Sequence, residues 1–177
     1  FVFAILYMTG ARLAEITGLK CKDVILDNDI PHICIRPNDV RRLKNDWSAR
    51  NIPVCPATQV LLHDALRLAG ADEALFSRYI KGRGSDRASA WLMKVIRRHT
   101  ADKKITVHSL RHNFRDRIRM TGVAMERGNA LEGHRYSRGE EANYGHNSAE
   151  WLKVLYGEII RINEKLRRFL ITLSNLI

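Results

Sequence analysis

A mainly α (α+β) fold is predicted for this chain, and three observations predict it. Apolar residues recur with helical period in several segments, as in Leu13, Ile16 and Leu19, and again in Leu110, Phe114 and Ile118. Short apolar runs of strand character are confined to residues 24–55. The C-terminal stretch 148–177 keeps apolar positions three and four residues apart without a break.

In chain order, residues 1–8 and 11–19 read as two helical pieces punctuated by Thr9-Gly10. Arg12 and Glu15 lie i,i+3, away from the apolar face of the second piece. Val24–Leu26, Ile33–Ile35 and Ile52–Cys55 read as strands. They are split by Asp27-Asn28-Asp29 and by the polar segment RPNDVRRLKNDWSARN at 36–51. That segment follows neither the helical nor the strand period, so a loop is expected. A helix from Pro56 to Ala69 should end at Gly70. Leu75–Ile80 is a short apolar piece before the turn-like residues 81–85. The next helix carries Trp91, Leu92, Val95 and Ile96. Ser109 is the expected N-cap of a helix that stops at Gly122. Ala124–Leu131 forms a further short helix, and the polar residues 135–147 a mobile loop. Ser148 should cap the last helix, whose seam is Leu152, Leu155, Ile159, Ile162, Leu166, Phe169, Leu173 and Leu176. Such a stripe fits packing on its own domain first. Docking on a neighbouring protomer stays open.

The 177 residues fit one domain with a real core. Thirty Lys and Arg stand against 19 Asp and Glu, a net charge of +11, which favours a polyanionic partner such as nucleic acid. A basic protein with no such partner fits the charge equally well. Cys21, Cys34 and Cys55 are far apart, without zinc-site spacing, as expected of reduced thiols in a cytosolic protein. No run approaches a membrane span. The chain opens at Phe1 on an apolar run, which reads as a fragment entered partway through its first helix, with an upstream domain missing.

The stretch HSLRHNFRDR, residues 108–117, concentrates imidazole and guanidinium at the edge of a core-facing helix. Singly, its residues are weak signals. Taken in order with TGARLAEITGLKCKDV from Thr9, a loop lysine followed by SARNIPV, Gly133-His134 and Tyr144, they resemble the catalytic domain of the tyrosine recombinases, the phage integrase family. The resemblance runs to about residue 157. It implies a helical catalytic domain with a small three-stranded antiparallel sheet carrying Lys44. Arg12 and Arg111 resemble the family's two arginines, His108 the first histidine of HxLRH and His134 the histidine after Gly133. Tyr144 matches the nucleophile, with His146 completing Tyr-x-His. Glu132 stands where the family usually has leucine, and the gap from His134 to Tyr144 is one residue longer than expected.

The resemblance implies a site-specific recombinase that cuts and rejoins DNA through a covalent 3′-phosphotyrosine, without metal or nucleotide cofactor. The implied partners are double-stranded DNA and further copies of the chain, as a tetramer on two DNA sites, with a monomer expected alone in solution. The upstream core-binding domain would be absent from this stretch, and residues 148–177 would be open to exchange between protomers. A bacterial or phage-encoded protein acting in the cytoplasm on nucleoid DNA is the expected setting. Type IB topoisomerase-like relaxation and a catalytically lapsed DNA-binding module are the competing readings. Arg41, Arg42, Arg50 and Arg115 are candidates for tracking the DNA backbone. Arg117 and Arg119 are expected to meet flanking backbone or solvent.

The chemistry explains the residue types. Attack on a phosphodiester builds negative charge on the non-bridging oxygens of a five-coordinate phosphorus. Preorganised cations stabilise that charge more than the ground state. Arginine stays charged and presents a planar fork of donors. A tyrosine hydroxyl, with an ordinary pKa of about 10, needs a proton acceptor such as His108. Lys44 is a sensible acid for the leaving 5′ oxygen, and His134 a further donor to the phosphate. Glu15 is expected to orient a cation, and His112 to serve a structural role.

Overall fold

The computed structural model describes residues 1–134 and 148–174, apart from the side chains of Asp46 and of 165–174. Tyr144 and His146 lie outside the described residues, as does the expected loop 135–147. The elements run α1 Val2–Thr9, α2 Leu13–Thr17, β1 Val24–Ile25, β2 His32–Ile35, β3 Arg50–Pro53, α3 Pro56–Ala69, α4 Gly84–Arg97, α5 Ser109–Met120, α6 Met125–Glu132 and α7 Ala149–Ser174. The strands form one antiparallel sheet in the order β1-β2-β3, with Val24 opposite Ile33 and Ile33 opposite Ile52. The mainly helical fold with a small three-stranded sheet is thus the one expected. Lys44 lies in the loop between β2 and β3.

Two apolar clusters hold these elements. Ile5, Ile16, Leu19, Ile33, Ile52, Leu62 and Leu92 join α1, α2, the sheet, α3 and α4. Phe114, Ile118, Leu131, Leu155, Ile159 and Ile162 join α5, α6 and α7. Burying each such side chain contributes about 1.5–3 kcal/mol. The helical periods in the sequence are the outward trace of these clusters.

Local physics moved several boundaries. α2 begins only at Leu13, because Arg12 is extended and its N–H meets the Glu15 side chain. β3 starts at Arg50 rather than Ile52, since Arg50 pairs with Ile35 and turns inward. Of the apolar piece 75–80, Ser77–Tyr79 forms a single 3₁₀ turn. The N-cap of α5 is His108, and Ser109 Oγ instead accepts the Thr106 N–H at 3.0 Å. Ser148 does cap α7: its Oγ accepts the Trp151 N–H at 3.1 Å.

Through Glu164, α7 packs on its own chain. Beyond its apolar face, Glu158 accepts from Arg127 at 2.6 Å. Asn163 donates to Met8 O at 3.1 Å and accepts from Arg117 at 2.9 Å. Arg117 is therefore not turned to solvent. It also donates to Tyr7 O and lies 4.2 Å over the Tyr7 ring, tying α5 to α1 and α7. The distal seam side chains, Leu166, Phe169, Leu173 and Leu176, fall outside the described residues. Among the described residues no helix is long and apolar enough to cross a membrane.

α1 ends at Gly10, whose φ of 66° is left-handed and whose N–H closes on Leu6 O. A Cβ there would sit 2.2 Å from Phe114 Cδ1, inside the ring of a fully buried side chain. Gly10→Ala combines backbone strain with overpacking. It should lower unfolding free energy by about 3 kcal/mol in urea titration, with an unchanged denaturant slope.

Candidate active site

The site grows from one buried carboxylate. Glu15 is 3% exposed. It accepts Arg12 N–H at 2.8 Å and Arg12 Nη1 at 2.7 Å. It also accepts Arg50 Nη1 at 3.2 Å and Nη2 at 3.0 Å. Burial alone would raise its pKa, but the Arg50 charge and the hydrogen bonds from Arg50 and Arg12 outweigh burial and hold it at about 2. Arg50 carries the linkage onward, donating to Leu131 O at 2.9 Å and to Ser48 O at 2.8 Å. Arg12 reaches Ser48 Oγ at 3.2 Å and Gly133 O at 3.4 Å. The α2 N-terminus, the approach to β3 and the end of α6 are thereby fixed to one another.

Arg111 enters from α5 and is 6% exposed. It donates through Nη1 to Gly10 O at 2.5 Å and through Nη2 to Glu132 O. Its Nε lies 3.6 Å from Glu132 Oε1. Burial and the neighbouring Arg12 and Arg50 charges, opposed by Glu132, bring its pKa down to about 10. It remains a cation at neutral pH. Each terminal nitrogen keeps a second N–H beyond those bonds, so the fork is held from behind and still has donors in front.

His108 is exposed at the head of α5, its ring edge-on to His112 at 4.8 Å. Burial, then the His112, Arg111 and Arg12 charges, hold its pKa below 6.5, so at neutral pH it has an acceptor nitrogen. Arg12, His108 and Arg111 line a shared cavity of about 170 Å³. His134 follows Gly133, where α6 ends at a φ of 66°. A side chain at 133 would also strike the Arg50 guanidinium at 2.5 Å, so both backbone and space require glycine. Burial, then Arg111, push the His134 pKa down as well.

The structure therefore brings Arg12, His108, Arg111 and His134 together from three distant segments. Lys44 is exposed on its loop beside Asn45, and Asn45 accepts from Ser48 at 2.8 Å. Among the described residues no contact links the Lys44 ammonium to the arginine pair. Arg42 is exposed. Arg41 and Arg50 correct the expectation made for them. Arg41 is 3% exposed and donates to Glu15 O at 2.6 Å and to Arg36 O. Arg50 is 8% exposed and serves Glu15. Both guanidiniums are committed to protein groups and brace the site from inside. Arg115 is partly exposed and pairs with Glu132 at 2.9 Å.

Sequence reasoning gave no role to Ser48 and Glu132. Ser48 sits in a polar loop and carries no signal of its own. Glu132 did leave one: a carboxylate directly before Gly133, closing a helix whose Leu131 is fully buried. Among the described residues no group of three or more His, Cys, Asp or Glu side chains is placed to hold a metal ion.

Comparison with known proteins agrees with this architecture. The phage integrase family profile matches residues 1–151. The tyrosine recombinase XerD of Corynebacterium glutamicum is 30% identical over 138 residues, and XerC of Herpetosiphon aurantiacus is 28% identical over 138 residues. Each alignment covers 73% of this chain and 42% of the relative, so the chain spans under half the length of these proteins. The fold is similar to that of the Tn1549 transposon integrase, solved in complex with transposon right end DNA. The TM-score is 0.54 at 21% identity, covering 86% of this chain and 56% of that one.

The Glu15 carboxylate makes stability pH-dependent with a definite sign. Its folded pKa of about 2 lies below the ordinary 4.5. Its contribution is fully present above 4.5 and is lost as pH falls toward 2. Glu15→Gln should remove about 3–5 kcal/mol at neutral pH by leaving Arg50 buried and uncompensated. It should also flatten the acid limb between pH 4.5 and 2, read by thermal melts across that range.

Proposed function

Since the chain belongs to the phage integrase family, we propose that it is the catalytic domain of a site-specific tyrosine recombinase, one that breaks and rejoins double-stranded DNA. One observation carries this reading. Two arginines from distant segments are anchored by backbone carbonyls of Gly10, Glu132 and Gly133, with two low-pKa imidazoles beside them. That is a preorganised clamp for a phosphodiester.

In this mechanism Arg12 and Arg111 hold the non-bridging oxygens of the scissile phosphate and stabilise the charge that builds there. The Tyr144 hydroxyl oxygen attacks phosphorus as its proton passes to His108. The bond from phosphorus to the 5′ oxygen breaks, and the Lys44 ammonium, brought in by its loop, protonates that oxygen. His134 donates to the phosphate. The 3′-phosphotyrosine conserves the energy of the broken bond, so a 5′ hydroxyl of a second strand can reverse the step without a nucleotide cofactor. Arg42 and Arg115 add contacts to flanking phosphates. The working assembly is a tetramer on two DNA sites, acting on nucleoid DNA in the cytoplasm, and residues 148–177 are the segment open to exchange between protomers. Strand exchange is favoured over type IB relaxation because the curated relatives are named recombinases. A lapsed binding module would have no need for a pre-set pair of anchored arginines.

The test is an SDS-resistant adduct formed on a library of nicked duplexes at low salt, mapped by mass spectrometry. Wild type should be linked through Tyr144. Tyr144→Phe should bind the same DNA and give no adduct. Arg111→Lys keeps the charge and loses the fork, and should slow adduct formation by about 10²-fold. A link through another residue would overturn the nucleophile. DNA binding with no adduct in any duplex would favour the binding module.

A further inference from the structure

Glu132, only 2% exposed, holds Arg115 by its Nε at 2.9 Å. The same guanidinium turns its Nη2 onto His134 Nε2 at 3.0 Å. Arginine has five N–H donors and no acceptor. A histidine nitrogen that meets an arginine N–H at this distance is therefore an acceptor, without a proton. The imidazole must then carry its single proton on Nδ1. The placement is over-determined. His134 N–H donates to Asn129 O at 2.9 Å, Gly133 fixes the chain direction, and Glu132 O is itself gripped by Arg111.

We propose that Arg115 is a positioning residue that sets the tautomer of His134, and that Glu132 is the buried anchor that keeps Arg115 in place. The ring presents Nδ1–H as its donor and keeps Nε2 occupied. Glu132 has a second effect, since its carboxylate offsets Arg111 and Arg115 where they would otherwise repel each other. The charged groups facing His134 are Arg111, Glu132, Arg115 and Arg12. Burial first, and then the three cations against Glu132, lower its pKa and favour the neutral ring, the state in which a tautomer is defined. The inference rests on the recombinase reading only for what the Nδ1–H meets, a phosphate oxygen.

The tautomer can be read without DNA. Protein labelled with ¹⁵N-histidine would be examined by long-range ¹H–¹⁵N correlation, with the His134 signals assigned from a His134→Gln sample. At a pH above its titration, wild-type His134 should show a protonated Nδ1 and a bare Nε2. Arg115→Leu should lose that preference and raise the His134 pKa, because a facing cation is gone. Arg115→Lys, which retains a donor, should restore the tautomer at least in part. Glu132→Gln is isosteric; it should lower the pKa and weaken the preference, moving the pKa opposite to Arg115→Leu. A merely stabilising ion pair would shift the melting temperature and leave the tautomer alone. The proposal fails if wild-type His134 carries its proton on Nε2, or if Arg115→Leu leaves the tautomer unchanged. If Arg115→Leu does not fold, the wild-type spectrum and Glu132→Gln decide. These outcomes are independent of the adduct assay, so a failed tautomer and a failed nucleophile remain distinguishable.

Discussion

Everything at the site depends on one ion pair, the buried Glu15 carboxylate against Arg50. Charges taken out of water cost several kcal/mol each unless their partners are well placed. Glu15 meets that condition with four donor contacts from Arg12 and Arg50, and the carboxylate stays ionised despite its burial. Arg50 can then reach Leu131 O, and Arg12 can reach Gly133 O. Remove the carboxylate, and the α2 N-terminus and the end of α6 lose the link that Arg12 and Arg50 make between them.

The same solution appears a second time. Glu132 stands behind Arg111 and Arg115 much as Glu15 stands behind Arg12 and Arg50. A chain with a surplus of eleven positive charges places two of its acids where its cations crowd. Those acids do not cancel the site. They sit on its protein side, so the uncommitted N–H groups are left to the opposite side. Attraction for a phosphate and tolerance of clustered guanidiniums thus come from one arrangement.

Much of the fold was legible in the sequence because burial imposes a period. The helix of Leu110, Phe114 and Ile118 and the turn at Gly10 both follow from spacing and turn chemistry, and both are present. Arg12, His108, Arg111 and His134 were legible as a motif, and the fold brings them together. Buried ion pairs have no period and were not legible. Arg41 and Arg50 looked like exposed cations because they lie in a polar run, yet one braces Glu15 O and the other its carboxylate. Parity offered a hint, since Arg50 shares a strand face with Ile52. Arg117 was hidden for a similar reason: its partners, Tyr7 and Asn163, are distant in sequence. Lys44 was placed in its loop correctly, but side-chain reach is not written in spacing.

Arg111 is gripped by the main-chain carbonyls of residues 10 and 132, and Arg12 adds that of 133 to its Glu15 and Ser48 contacts. A carbonyl acts only where the chain passes, and at 10 and 133 the chain passes in a left-handed turn that glycine alone takes without strain. The site is therefore sensitive to length as well as to spelling. A residue inserted or deleted between Gly10 and Arg12, or between Leu131 and His134, would carry the oxygens out of register even if every side chain named above were kept. Beside the two glycines, the number of residues between these places is what keeps the oxygens in register.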